Sequence, residues 1–327
     1  MEPMNILVTG GAGYIGANLV FELLNNDIGH KITILDNLQN CKHNDVYLTD
    51  KFPKYLRVIR GEIEDIDNLL FDEYFDVVVH LGANAYVNES VEYPDKYLGK
   101  NLISTYAVAD YCKRTRVKQV LFSSTCAVYG SCKLKINENS PTIPESPYGF
   151  SKLFSETILQ KKLCGVSTLT IFRFFNVAGA NTIFRGGEYH SNETHLIPVL
   201  FERVLSDSIV SIFGNDYNTH DGTCLREYVH VLDIVDAHKK AIEICAPGIF
   251  NLGTSNPISN LEVLHEIEKV VKKTPNLQFS NRRPGDAESL YSDYSKAKLI
   301  LNWVPLNSEL HNIVLDYYNW LKLDKHR

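Results

Sequence analysis

The first part of the chain alternates short β-branched, apolar runs with longer segments of helical periodicity, and this alternation is the strongest constraint on its fold. Apolar residues at consecutive positions indicate strands that are buried on both faces, as in a parallel sheet covered by helices. Strict alternation of strand and helix predicts βαβ units in a doubly wound, Rossmann-type α/β sheet. The predicted strands are 5–9, 31–35, 56–60, 77–81, 119–123 and 168–174, and the predicted helices are 14–26, 95–114 and 148–163.

The pattern changes after about residue 176, where strands become sparse and Gly, Pro, Asn and Asp interrupt the chain more often. Segments 197–206 and 261–272 are predicted as helices, and 249–252 as a strand. We therefore expect two domains. The first spans residues 1–175, with later segments of the chain returning to it, and a smaller C-terminal α/β domain spans residues 176–327.

Charge and cysteine content exclude several classes of protein. The chain of 327 residues has 33 Lys plus Arg and 39 Asp plus Glu, so its formal net charge is −6. This balance argues against a nucleic-acid or membrane-surface binder, which needs a basic face. The seven cysteines include no C-x-x-C pair, and an odd number of thiols is typical of a reducing compartment. We expect a cytoplasmic protein without a signal peptide or a membrane span.

A glycine-rich turn follows the first predicted strand and precedes the first predicted helix. Its glycines, Gly10, Gly13 and Gly16, are three residues apart. Such glycines permit a tight turn, a close approach of the backbone to a pyrophosphate, and close helix–strand packing. Asp36 ends the second predicted strand, where a carboxylate accepts hydrogen bonds from ribose hydroxyls and repels a 2′-phosphate. The pattern predicts binding of NAD rather than NADP; the alternative is a glycine turn that serves packing alone.

Tyr148 and Lys152 lie four positions apart, so their side chains project from one face of a predicted helix. A phenol that acts as a base near neutral pH must lower its pKa by about 3 units, worth ~4 kcal/mol. One positive charge about 5 Å away supplies ~3 kcal/mol at an effective dielectric constant of about 20. Lys152 and an oxidised nicotinamide together make this fall reachable. Tyr148 could then remove a proton from a sugar hydroxyl, and Thr125, after the fifth predicted strand, can hydrogen-bond that hydroxyl. Taken alone, Y-x-x-x-K is also typical of an exposed helix face.

Together these motifs resemble the extended short-chain dehydrogenase/reductases, and within them the UDP-galactose 4-epimerases, also called UDP-glucose 4-epimerases. The resemblance covers nearly the whole chain. TGGAGYIG at 9–16, ILDNL at 34–38 and FSST..VYG at 122–130 are shared by the superfamily. More specific are SPYGFSK at 146–152, RFFNVAGA at 173–180, THLIP at 194–198, IFGNDY..HDGT..REYVHV at 212–231 and RRPGD at 282–286.

The resemblance implies an isomerase that moves hydride from C4 of a UDP-sugar to bound NAD, lets the 4-keto sugar turn, and returns the hydride to its other face. Tyr148, Lys152 and Thr125 would be catalytic. NAD would contact Gly10, Gly13, Tyr14, Ile15, Gly16, Asp36, Asn37, Glu62, Ile63, Leu81, Gly82, Ala83, Asn101, Ser123, Tyr148, Lys152 and Phe175. The UDP-sugar would contact Thr125, Asn176, His195, Leu196, Phe213, Arg226, Arg283 and Asp286. Helices 95–114 and 148–163 would form a homodimer.

Some positions depart from the family pattern. Ala85 stands where many epimerases have a lysine that reaches the cofactor, Lys100 stands where they have an asparagine, and Glu62 replaces an aspartate. Thr125 keeps the hydroxyl of a residue that is often serine. Leu290 aligns with the position that gates acetamido sugars and does not decide which sugar is used.

Other functions remain as alternatives. A 4-epimerase of UDP-N-acetylglucosamine or of UDP-xylose/arabinose would share every motif above. A UDP-sugar dehydratase or decarboxylase is disfavoured, because those relatives carry acidic residues directly after the catalytic Thr, where this chain has Cys126 and Ala127. A non-catalytic NAD-binding regulatory protein would not need an intact Thr–Tyr–Lys set. His220, Asp221, His230, Asp233 and His238 match no metal-ligand spacing, so no metal is expected.

Overall fold

The computed structural model describes residues 2–26, 28–41, 44–131, 135–184, 186–189, 193–283 and 288–324. The helices are α1 Tyr14–Leu24, α2 Asn44–Lys51, α3 Ile66–Leu69, α4 Val87–Glu92, α5 Pro94–Thr115, α6 Pro147–Leu163, α7 Leu196–Leu205, α8 Val231–Ile244, α9 Asn260–Val271, α10 Ser295–Leu301 and α11 Leu310–Asp324, with 3₁₀ turns at Ile63–Asp65 and Cys126–Val128. The strands are β1 Asn5–Thr9, β2 Lys31–Asp36, β3 Leu56–Arg60, β4 Val77–His80, β5 Gln119–Thr125, β6 Thr168–Phe174, β7 Asn176–Ala178, β8 Ala180–Asn181, β9 Gly186–Gly187, β10 Ile209–Phe213, β11 Leu225–Arg226, β12 Tyr228–His230, β13 Gly248–Leu252, β14 Ile258–Ser259, β15 Asn276–Ser280 and β16 Ser289–Leu290.

A seven-stranded sheet forms the centre of the fold, in the order β13-β6-β5-β4-β1-β2-β3. Each neighbouring pair in this sheet is parallel. The predicted doubly wound α/β class is therefore confirmed. The order reverses between β1 and β4, and the crevice beyond the carboxyl ends of strands at such a reversal is where open α/β sheets bind ligands.

Apolar side chains bury both faces of the sheet, which explains the continuous apolar runs of its strands. On one face, α1 and α8 pack against residues such as Val8 and Phe172. On the other face, α5 and α6 pack against Leu7, Val120 and Ile171. This arrangement fixes the two helices that follow β4 and β5 against the sheet, and α6 carries Tyr148 and Lys152.

The later part of the chain builds a separate apolar core from α7, α9 and α11, with Phe201, Leu264 and Val314 among its buried residues. Short strands surround it: β10 pairs with β15, and β11 pairs with β14 and β16. Strand β13 lies elsewhere, since it pairs with β6 at the edge of the central sheet. The division of the chain at residues 175 and 176 stays a prediction.

Within the described ranges, no helix combines the length and the apolar character that crossing a bilayer requires.

Candidate active site

The glycine-rich turn between β1 and α1 brings two loops into backbone contact. Gly10 has φ +70, and a Cβ on it would lie 2.6 Å from the Cα of Gly82, which follows β4. A Cβ on Gly16 would lie 2.3 Å from the carbonyl oxygen of Gly10. Both positions therefore require glycine, as the spacing predicts. In the described chain, Gly13 caps α1 without a side-chain hydrogen bond, and the first turn of α1 holds no acidic residue.

Asp36 ends β2 beside this turn and is almost fully buried. Its carboxylate accepts hydrogen bonds from the backbone N–H groups of Leu38 at 2.8 Å and of Ala12 at 3.1 Å. Burial raises the pKa of Asp36, and these two hydrogen bonds oppose that rise. The structure thus holds an acceptor in a fixed orientation next to the N-terminus of α1.

The turn and Asp36 lie on one cavity of about 860 Å³, at the upper end of the range for small-molecule sites. Most of the predicted cofactor and substrate residues line it. They are Gly10, Gly13, Tyr14, Ile15, Gly16, Asp36, Asn37, Glu62, Ile63, Leu81, Gly82, Ala83, Asn101, Ser123, Thr125, Tyr148, Lys152, Phe175, Asn176, His195, Leu196, Arg226 and Arg283. Phe213 is not among the described lining residues but lies under the guanidinium of Arg283, 3.9 Å from it. Asp286 lies outside the described residues.

Local sequence sets the position of the Tyr148 and Lys152 side chains. Ser146 caps α6 by accepting a hydrogen bond from the N–H of Gly149 at 3.1 Å, and Pro147 occupies the first turn, where its missing N–H costs nothing. Tyr148 therefore lies in the first turn and Lys152 one turn later. The Lys152 ammonium is buried and donates to the carbonyl of Ser123 at 2.7 Å.

Thr125 ends β5, two residues later than the strand predicted from the sequence. Its hydroxyl accepts a hydrogen bond from the N–H of Ala127 at 3.2 Å and also hydrogen-bonds Tyr148. β5 thus supplies a partner to each of the two helical residues: Ser123 to Lys152 and Thr125 to Tyr148. The three predicted catalytic side chains meet on the cavity wall.

Burial dominates the protonation of this pair. It raises the pKa of Tyr148 to about 12, although the hydrogen bond from Thr125 opposes the rise. It lowers the pKa of Lys152 to about 7, although the charge of Glu156 opposes the fall. The groups of the chain alone therefore do not produce the low tyrosine pKa that the sequence argument requires, and a further positive charge in the cavity is needed to lower it.

Residues of the expected substrate half line the same cavity. Asn176 donates its side-chain N–H to the carbonyl of Glu227 at 2.8 Å. The imidazole of His195 lies 2.9 Å from the carboxylates of Glu188 and Glu193. Burial alone would lower the pKa of His195, but these carboxylates outweigh it and raise the pKa to about 10. His195 is therefore positively charged at neutral pH.

Sequence reasoning missed several lining residues, among them Tyr86 and Glu188. Tyr86 follows β4, and its ring centroid lies 6.2 Å from that of His195. Ala85 and Lys100, where the chain departs from the family pattern, also line the cavity. Tyr86 could have been predicted as a lining residue from one signal only, its place shortly after the end of a predicted strand. Glu188 follows a two-residue strand that the sequence pattern does not reveal.

Among the described residues, Glu188, Glu193 and His195 place their oxygen and nitrogen atoms within 4.8 Å of one another. This spacing is close enough for a cation, but the charged imidazole already satisfies the two carboxylates. The expectation that the protein needs no metal stays a prediction.

Comparisons with known proteins match the chain to one family of enzymes. The model of the NAD dependent epimerase/dehydratase family matches residues 6–253. The UDP-glucose 4-epimerase of Halalkalibacterium halodurans is 38% identical, over 99% of this chain and 97% of that protein. A putative UDP-arabinose 4-epimerase of Arabidopsis thaliana is 35% identical, over 98% of this chain and 77% of that protein.

Among solved structures, the UDP-glucose 4-epimerase from Bifidobacterium longum in complex with NAD⁺ and UDP has a TM-score of 0.90 and 31% identity, covering 98% of this chain and 99% of that chain. The chain belongs to the NAD dependent epimerase/dehydratase family. The resemblance to UDP-glucose 4-epimerases that the motifs indicate is thereby confirmed.

Replacing Lys152 with Met tests the cost of burying its ammonium. The pKa of Lys152 is about 7 in the folded protein, against about 10.4 in an unfolded chain. Between these pH values the unfolded chain binds the extra proton, so the free energy of unfolding of the wild type rises with pH, by at most ~1.4 kcal/mol per pH unit. Lys152→Met lacks this proton. Between about pH 7 and pH 10, urea titrations should therefore show the free energy of unfolding of the wild type rising relative to that of the variant. A difference between the two proteins that does not change with pH would contradict the lowered pKa of Lys152.

Proposed function

We propose that this protein is an NAD-dependent 4-epimerase that interconverts UDP-glucose and UDP-galactose, an isomerase of galactose metabolism, through a transient 4-keto sugar. One observation carries the proposal. Tyr148, Lys152 and Thr125 lie on the same cavity as the glycine turn and the two arginines Arg226 and Arg283. A dinucleotide and a nucleotide sugar can thus meet at one proton acceptor.

The residues at the glycine turn fit NAD. The N-terminus of α1 directs backbone N–H groups and a positive dipole end toward the cavity, which favours a pyrophosphate. The carboxylate of Asp36 is oriented to accept from ribose hydroxyls and disfavours a 2′-phosphate. When bound there, NAD⁺ would supply a hydride acceptor for C4 of the sugar and a positive charge that lowers the pKa of Tyr148.

Tyr148 removes the proton of the sugar 4-hydroxyl and gives it back in the return step. Thr125 hydrogen-bonds Tyr148 and can hold the same hydroxyl. In its protonated form Lys152, which is hydrogen-bonded to Ser123, stabilises the phenolate that this transfer needs. Arg226 and Arg283 hold the diphosphate through charge-assisted hydrogen bonds while the sugar turns.

The alternatives differ from the proposal at identifiable residues. A dehydratase or a decarboxylase needs an additional acid or base, and the two residues after Thr125 are Cys126 and Ala127, in a 3₁₀ turn. Burial raises the pKa of the Cys126 thiol to about 12, so it stays protonated. UDP-N-acetylglucosamine, UDP-xylose and UDP-arabinose differ only in the sugar, next to Leu290, and a substrate panel separates them. A regulatory NAD-binding protein would bind ligands without turnover.

We also propose a homodimer that buries the outer faces of α5 and α6. These faces expose Ile103, Tyr106, Phe150 and Phe154, which are 58%, 50%, 42% and 52% exposed. Large apolar side chains exposed together on two packed helices are typical of a protein–protein interface. Light scattering of the purified protein tests the mass. A cytoplasmic location is the accompanying proposal, supported by the free thiols of Cys112, Cys126, Cys164 and Cys245.

Purified protein should interconvert UDP-galactose and UDP-glucose without added cofactor, while Tyr148→Phe should turn over at least about a thousandfold more slowly because it cannot accept the proton. NMR of a panel of UDP-sugars, read for inversion at C4, measures both. Binding of UDP by the variant, measured by calorimetry, should remain near that of the wild type. Turnover by Tyr148→Phe at the wild-type rate would refute the role of Tyr148, and absence of inversion in every sugar by the NAD-loaded wild type would refute the function.

Two adjacent arginines offer a matched test of the UDP end. Arg283 lines the cavity and stacks on Phe213, whereas Arg282 pairs with Asp216 on the surface. Arg283→Ala should weaken UDP binding by roughly 10- to 100-fold, because a charge-assisted contact to diphosphate is worth about 1.5–3 kcal/mol. Arg282→Ala should leave the affinity within about twofold. Calorimetric titration with UDP measures both, and equal effects of the two substitutions would remove Arg283 from the site.

A further inference from the structure

A buried ion pair lies directly behind the catalytic residues. Glu156 follows Lys152 by one turn of α6 and is 2% exposed, and Arg173 on β6 is 3% exposed. Arg173 donates its Nε to Oε1 of Glu156 at 2.9 Å and its Nη2 to Oε2 at 2.6 Å. The hydroxyl of Ser124 also donates to Oε1. Both oxygens of a carboxylate beneath the active site are therefore used by other elements of the fold.

The other end of the guanidinium continues the network. Nη1 of Arg173 donates to the hydroxyl of Tyr129 at 2.9 Å. That hydroxyl in turn donates to Oδ1 of Asn251 on β13 at 2.7 Å. Buried polar groups that are fully paired in this way make an element rigid. Helix α6 is thus tied through one carboxylate to β5, β6 and β13.

Glu156 contacts β5 at Ser124, between the two strand residues that bind Lys152 and Tyr148. Ser124 lies between Ser123, whose carbonyl receives the Lys152 ammonium, and Thr125, whose hydroxyl bonds Tyr148. The hydrogen bond from Ser124 to Glu156 therefore holds, from behind, the strand end that orients both residues.

We propose that Glu156 is a positioning residue for the reaction: it fixes α6 against the end of β5 and keeps the Lys152 ammonium charged beside Tyr148, with Arg173 as its counter-ion. In the proposed reaction Tyr148, Lys152 and Thr125 touch the reacting groups, and Glu156 acts through them. The inference deepens the proposed function and rests on it for its kinetic consequences.

The charges that face Lys152 favour this role. Tyr148 and Glu156 lie on its own helix, His80 faces it from β4, and Arg173 stands behind Glu156 on β6. Burial, together with the charge of Lys152, lowers the pKa of His80 to about 3, so this imidazole is neutral. Burial also drives the pKa of Lys152 down, and Glu156 is the group that opposes it. Glu156 thus supplies the negative charge that retains the proton of Lys152.

Two variants separate positioning from folding. Glu156→Gln keeps the shape and an acceptor for Ser124 but removes the charge. It leaves Arg173 buried without a counter-ion, which destabilises folded proteins strongly. The double variant Glu156→Gln with Arg173→Met removes both charges and avoids this penalty. Asp233→Asn is the control, because Asp233 is a buried carboxylate that accepts from Asn307 and Ser308 and does not line the cavity.

For both Glu156 variants we expect kcat to fall at least about tenfold while KM changes less than about threefold, since nucleotide contacts are intact. The high-pH limb of the kcat profile, where Lys152 loses its proton, should move to lower pH in both variants. The shift should be smaller in the double variant, because Arg173→Met also removes a positive charge. Asp233→Asn should lower the melting temperature and leave kcat and its pH profile unchanged. If Glu156→Gln does not fold, the double variant gives the result.

A wild-type pH profile in the folded double variant would overturn the inference, and so would an equal shift in Asp233→Asn. NMR titration of protein with ¹⁵N-labelled lysine side chains, assigned with Lys152→Met, supplies a readout that does not depend on turnover. The pKa of Lys152 should be lower in the double variant than in the wild type. This titration reports on Glu156 even if the protein does not epimerise any UDP-sugar, so failure of the inference is distinct from failure of the proposed function.

Discussion

The burial of the Lys152 ammonium is the interaction on which the rest of the site depends. A charge in the protein interior is costly unless it is paired and hydrogen-bonded, and here burial lowers the pKa of Lys152 to about 7 even though the charge of Glu156 opposes the fall. The same dry surroundings raise the pKa of Tyr148 to about 12. Both pKa shifts favour the neutral side chains, a neutral lysine and a protonated tyrosine, over an ammonium beside a phenolate. Tyr148 can act as a base only where nearby charges offset the effect of burial, and Glu156 and a cationic cofactor are the groups proposed to do so.

The topology of the sheet explains why so many short motifs converge. In a parallel sheet the carboxyl ends of all strands lie at the same edge. This edge carries Gly10 after β1, Asp36 on β2, Gly82 after β4 and Thr125 on β5. The reversal of strand order between β1 and β4 opens the crevice there. Helix α6 packs against the sheet and contributes Tyr148 and Lys152 to the same cavity.

The residues that could be predicted from the sequence are those that lie in local motifs at the ends of these strands and on α6. The glycine turn, Asp36 and the pair on α6 are local patterns with fixed spacing, and the structure brings them to one cavity. Tyr86 and Glu188 were not predicted, because they meet His195 only through tertiary packing of irregular segments. Helices α8 and α11 were also not predicted, although their apolar residues are buried in the structure. The pKa of Tyr148 without a bound cofactor could not be predicted, because a sequence shows neighbouring charges but not the depth at which they are buried.

The pairing of β13 with β6 has a consequence for how the protein is made. Residues 248–252 complete the sheet long after residues 168–174 have left the ribosome. Until then β6, with the apolar sequence TLTIFRF, presents an open edge that can pair with strands of other chains. The growing polypeptide must keep that edge shielded while the intervening segment is synthesised. Helix α8, which directly precedes β13, is the last element made before the edge can close.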